Sequence, residues 1–133
     1  MTDKQLCALA REMMKKSYAP YSGFTVGAAL LAADGSVYTG CNIENAAFTP
    51  TICAERTALF KAVSEGKRDF LKLAVAGGKA GVITEEISLC GVCRQVLAEF
   101  CGRDFEILTV RADGTYGTHT LDALLPFSFS LQK

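Results

Sequence analysis

The chain has 133 residues, 50% of them hydrophobic and 21% charged, the balance of a globular protein and not of a disordered one. Fourteen Lys and Arg offset fourteen Asp and Glu, so the basic excess of a protein that chiefly holds a nucleic acid backbone is missing. No apolar run approaches the roughly 20 residues needed to span a bilayer.

This length suits one domain, 1–133, with a real core. The N-terminal Met1 to Gln5 is polar and lacks a secretory signal's apolar run. Six cysteines therefore read as metal or redox chemistry in a reducing compartment, not as disulfides. A soluble cytoplasmic protein is expected.

Leu6, Leu9, Ala10, Met13 and Met14 fall at helical spacing and predict a first helix, capped by Thr2 or Asp3 and ending near Ser17 and Tyr18, before Pro20. Phe24 to Ala33 is almost continuously apolar, as in a strand buried on both faces. Asp34-Gly35 is a hairpin signal, with Ser36 to Cys41 as the returning strand. Asn42 to Pro50 has no period and reads as a loop. A second helix is predicted from Ile52 or Cys53 to Gly66, then a strand over Phe70 to Ala76. Gly77 to Ser88 reads as a loop whose glycines lack the order and spacing of a phosphate cradle. A third helix runs from Gly91 to Phe100 with Val92, Val96, Leu97 and Phe100 on one face. Strands at Phe105 to Val110 and Tyr116 to Thr120 follow, with a helical turn from Leu121 to Leu125 before Pro126. Strands alternating with helices predict a layered α/β domain, and the hairpin makes its sheet mixed.

Two stretches carry chemistry: Cys53-Ala54-Glu55-Arg56 and Cys90-Gly91-Val92-Cys93-Arg94-Gln95. Three sulfurs and an uncommitted carboxylate are the donor arithmetic of a catalytic zinc site, in which the fourth tetrahedral position stays open. Both stretches sit at predicted helix N-termini, where the dipole and unpaired N–H groups stabilise thiolates. Three thiolates on Zn²⁺ sum to −1, an excess that Arg56 could offset. Glu55 reads as a proton shuttle beside the metal, or else as a first-turn Glu that favours the helix dipole. Cys7, Cys41 and Cys101 read as small buried hydrophobes; Cys41 or Cys101 as a fourth ligand would instead close a structural site. His119 reads as an incidental surface residue.

With these residues in place, the chain resembles the small, homotetrameric zinc-dependent cytidine deaminases over nearly its whole length. The likeness rests on Ala19-Pro20-Tyr21-Ser22, Val26-Gly27-Ala28-Ala29-Leu30, Asn42-Ile43-Glu44-Asn45-Ala46 and the two cysteine stretches, in that order. A metal ligand, Glu two residues on, and a later C-x-x-C form the signature of zinc deaminases. The resemblance implies a three-layer sandwich with a mixed, about five-stranded sheet between helices. It implies Cys53, Cys90 and Cys93 as ligands of one Zn²⁺ per subunit and Glu55 as proton shuttle. It further implies Asn42 and Glu44 on the ribose hydroxyls, Phe24 against the pyrimidine, and the backbone around Ala54 on the base carbonyl. An aromatic residue near one subunit's C-terminus would close another's pocket; Phe129 fits best, Phe127 competes, and Phe48 is a weaker candidate.

The implied reaction is hydrolysis of cytidine, and of deoxycytidine, to uridine or deoxyuridine plus ammonia in pyrimidine salvage, with a small nucleoside as partner and no nucleic acid or membrane. Alternatives are a same-fold deaminase of a modified cytosine nucleoside or nucleoside antibiotic, and a structural zinc module. The chain departs from the pattern at Leu89, where the family usually has Pro, and in its long Gly77 to Ser88 connection.

Overall fold

The structure, a computed structural model, describes residues 1–131. Helix α1 (Asp3–Met13) starts in a capping box: the Thr2 hydroxyl accepts from Gln5 N–H while the Gln5 side chain accepts from Thr2 N–H. It tightens into a 3-10 turn, Met14–Lys16, so the helical segment ends where Pro20 predicts. The strands and helices that follow are β1 (Phe24–Ala32), β2 (Val37–Cys41), α2 (Ala54–Ser64), β3 (Phe70–Lys79), α3 (Gly91–Phe100), β4 (Glu106–Val110), β5 (Tyr116–Thr120) and α4 (Leu121–Leu124).

The sheet order is β2-β1-β3-β4-β5. Only β3 and β4 run parallel, joined by the α3 crossover; every other neighbouring pair is antiparallel. This is the expected mixed sheet.

Alternation along the central strands builds two cores. Ala28, Leu30, Leu73, Val75 and Ile107 face α2 and α3, meeting Ala58, Leu59, Ala62, Cys93 and Leu97. Ala29, Leu31, Ala74, Ala76, Leu108 and Val110 face the other way, onto Leu6, Cys7, Ala10 and Met14 of the N-terminal helical segment. Helices thus cover both sides of the sheet, which makes the three layers.

Two expectations need correction. Strand β3 continues through Gly77, Gly78 and Lys79, which the glycines had marked as loop. Backbone pairing overrides that propensity: Phe24, Thr25 and Val26 pair with Lys79, Gly78 and Gly77, and the Thr25 hydroxyl donates to Gly78 C=O at 2.9 Å. On α3, Val92 does not join the core face, being 57% exposed. The buried face is set by Cys93 and Leu97, one turn apart.

The β1–β2 hairpin is held at its turn by Asp34. Its carboxylate meets Lys67 Nζ at 2.6 Å and accepts from Ser36 N–H at 3.0 Å. Lys67, then Ser36, hold this carboxyl well below its usual range. Such a group stabilises the fold above its unfolded pKa of about 3.9, and that contribution is lost as pH falls through the depressed value. Asp34→Asn is therefore expected to lower Tm slightly at pH 7, since the pair is exposed, and the gap to the parent should close on acidification. A gap that widened in acid would contradict this.

Candidate active site

The site forms where β1 begins, β2 and β3 end, and α2 and α3 start. Cys53 is the N-cap of α2 and Cys90 the N-cap of α3. Cys93 lies one turn into α3, its N–H donating to Cys90 Sγ at 3.3 Å. The three sulfurs lie within 4.8 Å of one another, and Cys53 Sγ to Cys90 Sγ is 3.7 Å. A tetrahedron with Zn–S bonds near 2.3 Å has edges of about 3.8 Å, so the spacing suits zinc. Among the described residues this is the one His/Cys/Asp/Glu cluster placed to hold a metal ion.

Cys41 and Cys101 stand apart from it. Cys41 Sγ lies 3.3 Å from Lys16 C=O, to which it donates, and burial pushes the Cys101 thiol up to about 12. Among the described residues no fourth sulfur closes the site. His119 lies on the edge strand, its Nε2 3.3 Å from the Thr109 hydroxyl.

Glu55, in the first turn of α2, is 5% exposed, and its Oε1 has no hydrogen-bond partner among the described residues. A buried polar atom without a partner is costly, and a helix-dipole role is served equally well from the surface. Burial, then the neighbouring Cys53 charge, lift this carboxyl to about 7 against opposing hydrogen bonds. Arg56 Nη2 donates to Cys53 Sγ at 3.4 Å, so the guanidinium lies against the sulfurs. The hydrogen bond with Cys93, with help from Arg56 and Cys90 and against burial, draws the Cys53 thiol down to about 5. Cys93 moves the opposite way, through the same hydrogen bond and its burial. Three close sulfurs cannot all ionise alone, and a dication resolves that conflict.

Placement of α2 depends on Gly40 in β2. A Cβ there would lie 2.5 Å from both Ala54 C=O oxygen and Ala58 N, backbone atoms that cannot yield separately. The Thr57 hydroxyl also donates to Cys41 C=O at 3.0 Å. Gly40→Ala should lift α2 away, costing about 1–3 kcal/mol as overpacking does and weakening zinc retention. Tm and chelator competition read both; a variant with parental values for both would refute the dependence.

A cleft of about 400 Å³ opens beside the sulfurs, a size that suits a small ligand. Phe24, Asn42 and Glu44 line it with Cys53, Glu55, Arg56 and Cys90. Ala54, at the base of α2, is fully buried. Asn42 and Glu44 also hold local structure. Asn42 Nδ2 donates to Phe24 C=O at 2.8 Å and its Oδ1 accepts from Val26 N–H at 2.9 Å. Glu44 accepts from the N–H groups of Tyr21 and Ser22 at 2.9 and 3.1 Å. Phe129 does not reach its own chain's cleft, lying instead beside Ala98, Cys101 and Leu125. Phe127 is fully exposed in a left-handed conformation, and Phe48 is 74% exposed.

The cleft also contains residues that the sequence reading missed: Val26, Thr51, Ile52, Ile87 and Ser88. Val26 was findable, because it follows Phe24 by two on a strand and so shares its face. Ile87 and Ser88 lie in an aperiodic connection that carries no such signal.

The family model for the cytidine and deoxycytidylate deaminase zinc-binding region matches residues 1–109. The chain belongs to that family. It is 48% identical over 130 residues to a cytidine deaminase of Sporosarcina psychrophila, covering 98% of this chain and 93% of that one. It is 44% identical over 132 residues to a cytidine deaminase of Halalkalibacterium halodurans, covering 99% and 97%. The crystal structure of a cytidine deaminase from Burkholderia pseudomallei superposes with a TM-score of 0.89 at 41% identity, covering 97% and 100%. The fold is the cytidine deaminase-like α/β fold, the chain is a hydrolase of this zinc family, and its cofactor is Zn²⁺.

Proposed function

We propose that this chain, as one catalytic domain over 1–133, hydrolyses cytidine and deoxycytidine to uridine and deoxyuridine with release of ammonia. The observation that carries this reading is the buried Glu55 carboxylate, whose Oε1 has no hydrogen-bond partner among the described residues, beside three converged cysteine sulfurs. A structural zinc module has no use for such a group.

Cys53, Cys90 and Cys93 hold the zinc, one ion per subunit. When bound, zinc supplies the Lewis acidity that makes water a nucleophile at neutral pH. Glu55, with a pKa raised to about 7 by burial, is poised to accept a proton from that water. It then donates that proton to N3 of the cytosine ring as the water oxygen adds to C4, so that C4 becomes tetrahedral without a full negative charge on the ring. The remaining proton of the added hydroxyl, passed through Glu55 to the exocyclic amine, lets the C4–N bond break as the C4 carbonyl forms, and ammonia leaves. Arg56, hydrogen-bonded to Cys53, offsets the negative charge of the sulfurs and preserves the metal's acidity.

Binding falls to the rest of the cleft. Phe24 packs on the pyrimidine, and the backbone around Ala54 donates to the base carbonyl. Asn42 retains one Nδ2–H uncommitted among the described residues, and the Glu44 carboxylate retains acceptor capacity beyond its loop contacts; these suit ribose hydroxyls. The same two side chains thus shape the β1 approach and recognise sugar.

A homotetramer with sites at subunit interfaces is part of this proposal. Exposed Phe48, Val92, Phe127 and Phe129 favour it, because each is a large apolar side chain that a neighbouring subunit could cover. Phe129 is the preferred residue to close a neighbour's pocket. The protein would serve pyrimidine salvage in the cytoplasm; no helix among the described residues is long and apolar enough to cross a membrane.

Ammonia release from cytidine, deoxycytidine, single-stranded DNA and single-stranded RNA tests the substrate class. Release from the two nucleosides and not from the polymers is expected. Release from the polymers alone would overturn the reading, and sedimentation as a monomer would remove its tetramer component.

A further inference from the structure

The long connection between β3 and α3 approaches the cleft at Ile87, and it meets there a position where the sheet has no side chain. A Cβ at Gly77 would lie 2.5 Å from Ile87 Cδ1, 3.2 Å from Val26 Cγ2 and 3.3 Å from Phe24 Cε2. Three apolar side chains therefore converge on one bare Cα. Gly77 pairs with Val26 across β1 and β3, and its even spacing from Leu73 and Val75 puts it on the α2/α3 face of the sheet. Phe24, Val26 and Ile87 all line the cleft.

Ile87 is also held from both sides. Before it, Glu86 accepts from Arg111 Nε at 3.2 Å and from the Thr109 hydroxyl. After it, Arg94 donates to the Ser88 hydroxyl at 2.7 Å, to Leu89 C=O at 2.8 Å and to Leu124 C=O at 2.6 Å. The backbone on either side of Ile87 is thereby tied to β4 and to α4. The segment that carries Ile87 is thus held in place, while the end of the Ile87 side chain rests against the bare Cα of Gly77.

We propose that Gly77 and Ile87 are a matched pair that sets the size of the base pocket, with Ile87 the specificity-determining residue for the pyrimidine C5–C6 edge. The inference rests on the nucleoside reading above. Around a cytosine ring, O2, N3 and the exocyclic amine are polar and N1 carries the sugar. Only the C5–C6 edge presents C–H groups alone, so it can meet an apolar wall without stranding a donor or acceptor. The missing Cβ at Gly77 lets Ile87 sit back against the sheet; with a methyl there, its Cδ1 must move outward, toward the base.

The test is a cycle of Gly77→Ala, Ile87→Ala and the double variant, with KM and kcat for cytidine and 5-methylcytidine, zinc content and Tm. One methyl group in an apolar pocket is worth about tenfold or more in discrimination. Gly77→Ala is expected to raise KM for cytidine by about tenfold, with zinc content and Tm close to parental because the clashing atom is a side-chain end. The double variant should recover the parental KM to within about threefold, because removing Ile87 Cδ1 relieves the clash. Ile87→Ala alone should raise kcat/KM for 5-methylcytidine relative to cytidine by about tenfold; this arm stands even if Gly77→Ala does not fold. A parental KM in folded Gly77→Ala, or an unaltered preference in Ile87→Ala, overturns the pairing and leaves the nucleoside reading intact. A parent that does not convert cytidine overturns that reading and this inference with it.

Discussion

Glu55→Gln is expected to lower kcat by about 10²- to 10⁴-fold, the range supplied by a positioned acid or base, with one zinc ion still bound and Tm not reduced. Gln keeps the volume of the side chain and removes only its capacity to carry a proton. The retained stability follows from the environment: Glu55 is buried, Oε1 has no partner among the described residues, and burial raises its pKa to about 7. In the metal-free chain a charge in that position is a cost to folding, so a neutral amide there removes chemistry without removing a stabilising contact of Oε1. Loss of activity with loss of zinc would mean that Glu55 is a ligand instead. Retained activity would mean that it has no part in proton transfer.

Cys90→Ser should abolish stoichiometric zinc binding and turnover together, and lower Tm relative to the zinc-loaded parent. Two of three ligands do not hold the ion against a chelator, and metal that binds only the folded state stabilises it. The N-cap function survives in part, since a Ser hydroxyl also accepts from the first turn as Cys90 Sγ does from Cys93 N–H. The fold should therefore persist in the variant. Chelation of the parent should reproduce the same loss, with recovery on adding zinc. A Cys90→Ser protein that retained a full equivalent of zinc would contradict the three-sulfur site.

These outcomes connect to what the sequence discloses. Helix α3 spans Gly91–Phe100, as its apolar pattern predicts, and β5 spans Tyr116–Thr120, the range predicted for it. The three cysteines and Glu55 are legible because metal chemistry imposes residue types as well as spacing. Leu89 does not disturb the start of α3: it is buried in the core, and Cys90 keeps the extended φ and ψ of an N-cap.

What was illegible depended on partners distant in sequence. Glycines at 77 and 78 are poor strand formers, and only their pairing with β1 makes them strand. Val92 has an apolar side chain on a helix whose period is clear, but which residue faces the sheet is decided by Cys93 and Leu97. Ile87 lies in a stretch with no periodicity; its place in the cleft comes from Glu86 and Arg94 contacts spanning 23 and 30 residues. Asn42 and Glu44 hold the local backbone and line the cleft at once, a double use that their residue types alone do not disclose.

The central claim is hydrolytic deamination of cytidine by Glu55 beside a three-cysteine zinc. Its most direct test is the ultraviolet absorbance of cytidine incubated with the purified, zinc-loaded chain, beside Glu55→Ala of equal metal content. Conversion to uridine by the parent and not by the variant is the predicted result. No conversion by a folded, zinc-loaded parent, or equal conversion by both proteins, would contradict it.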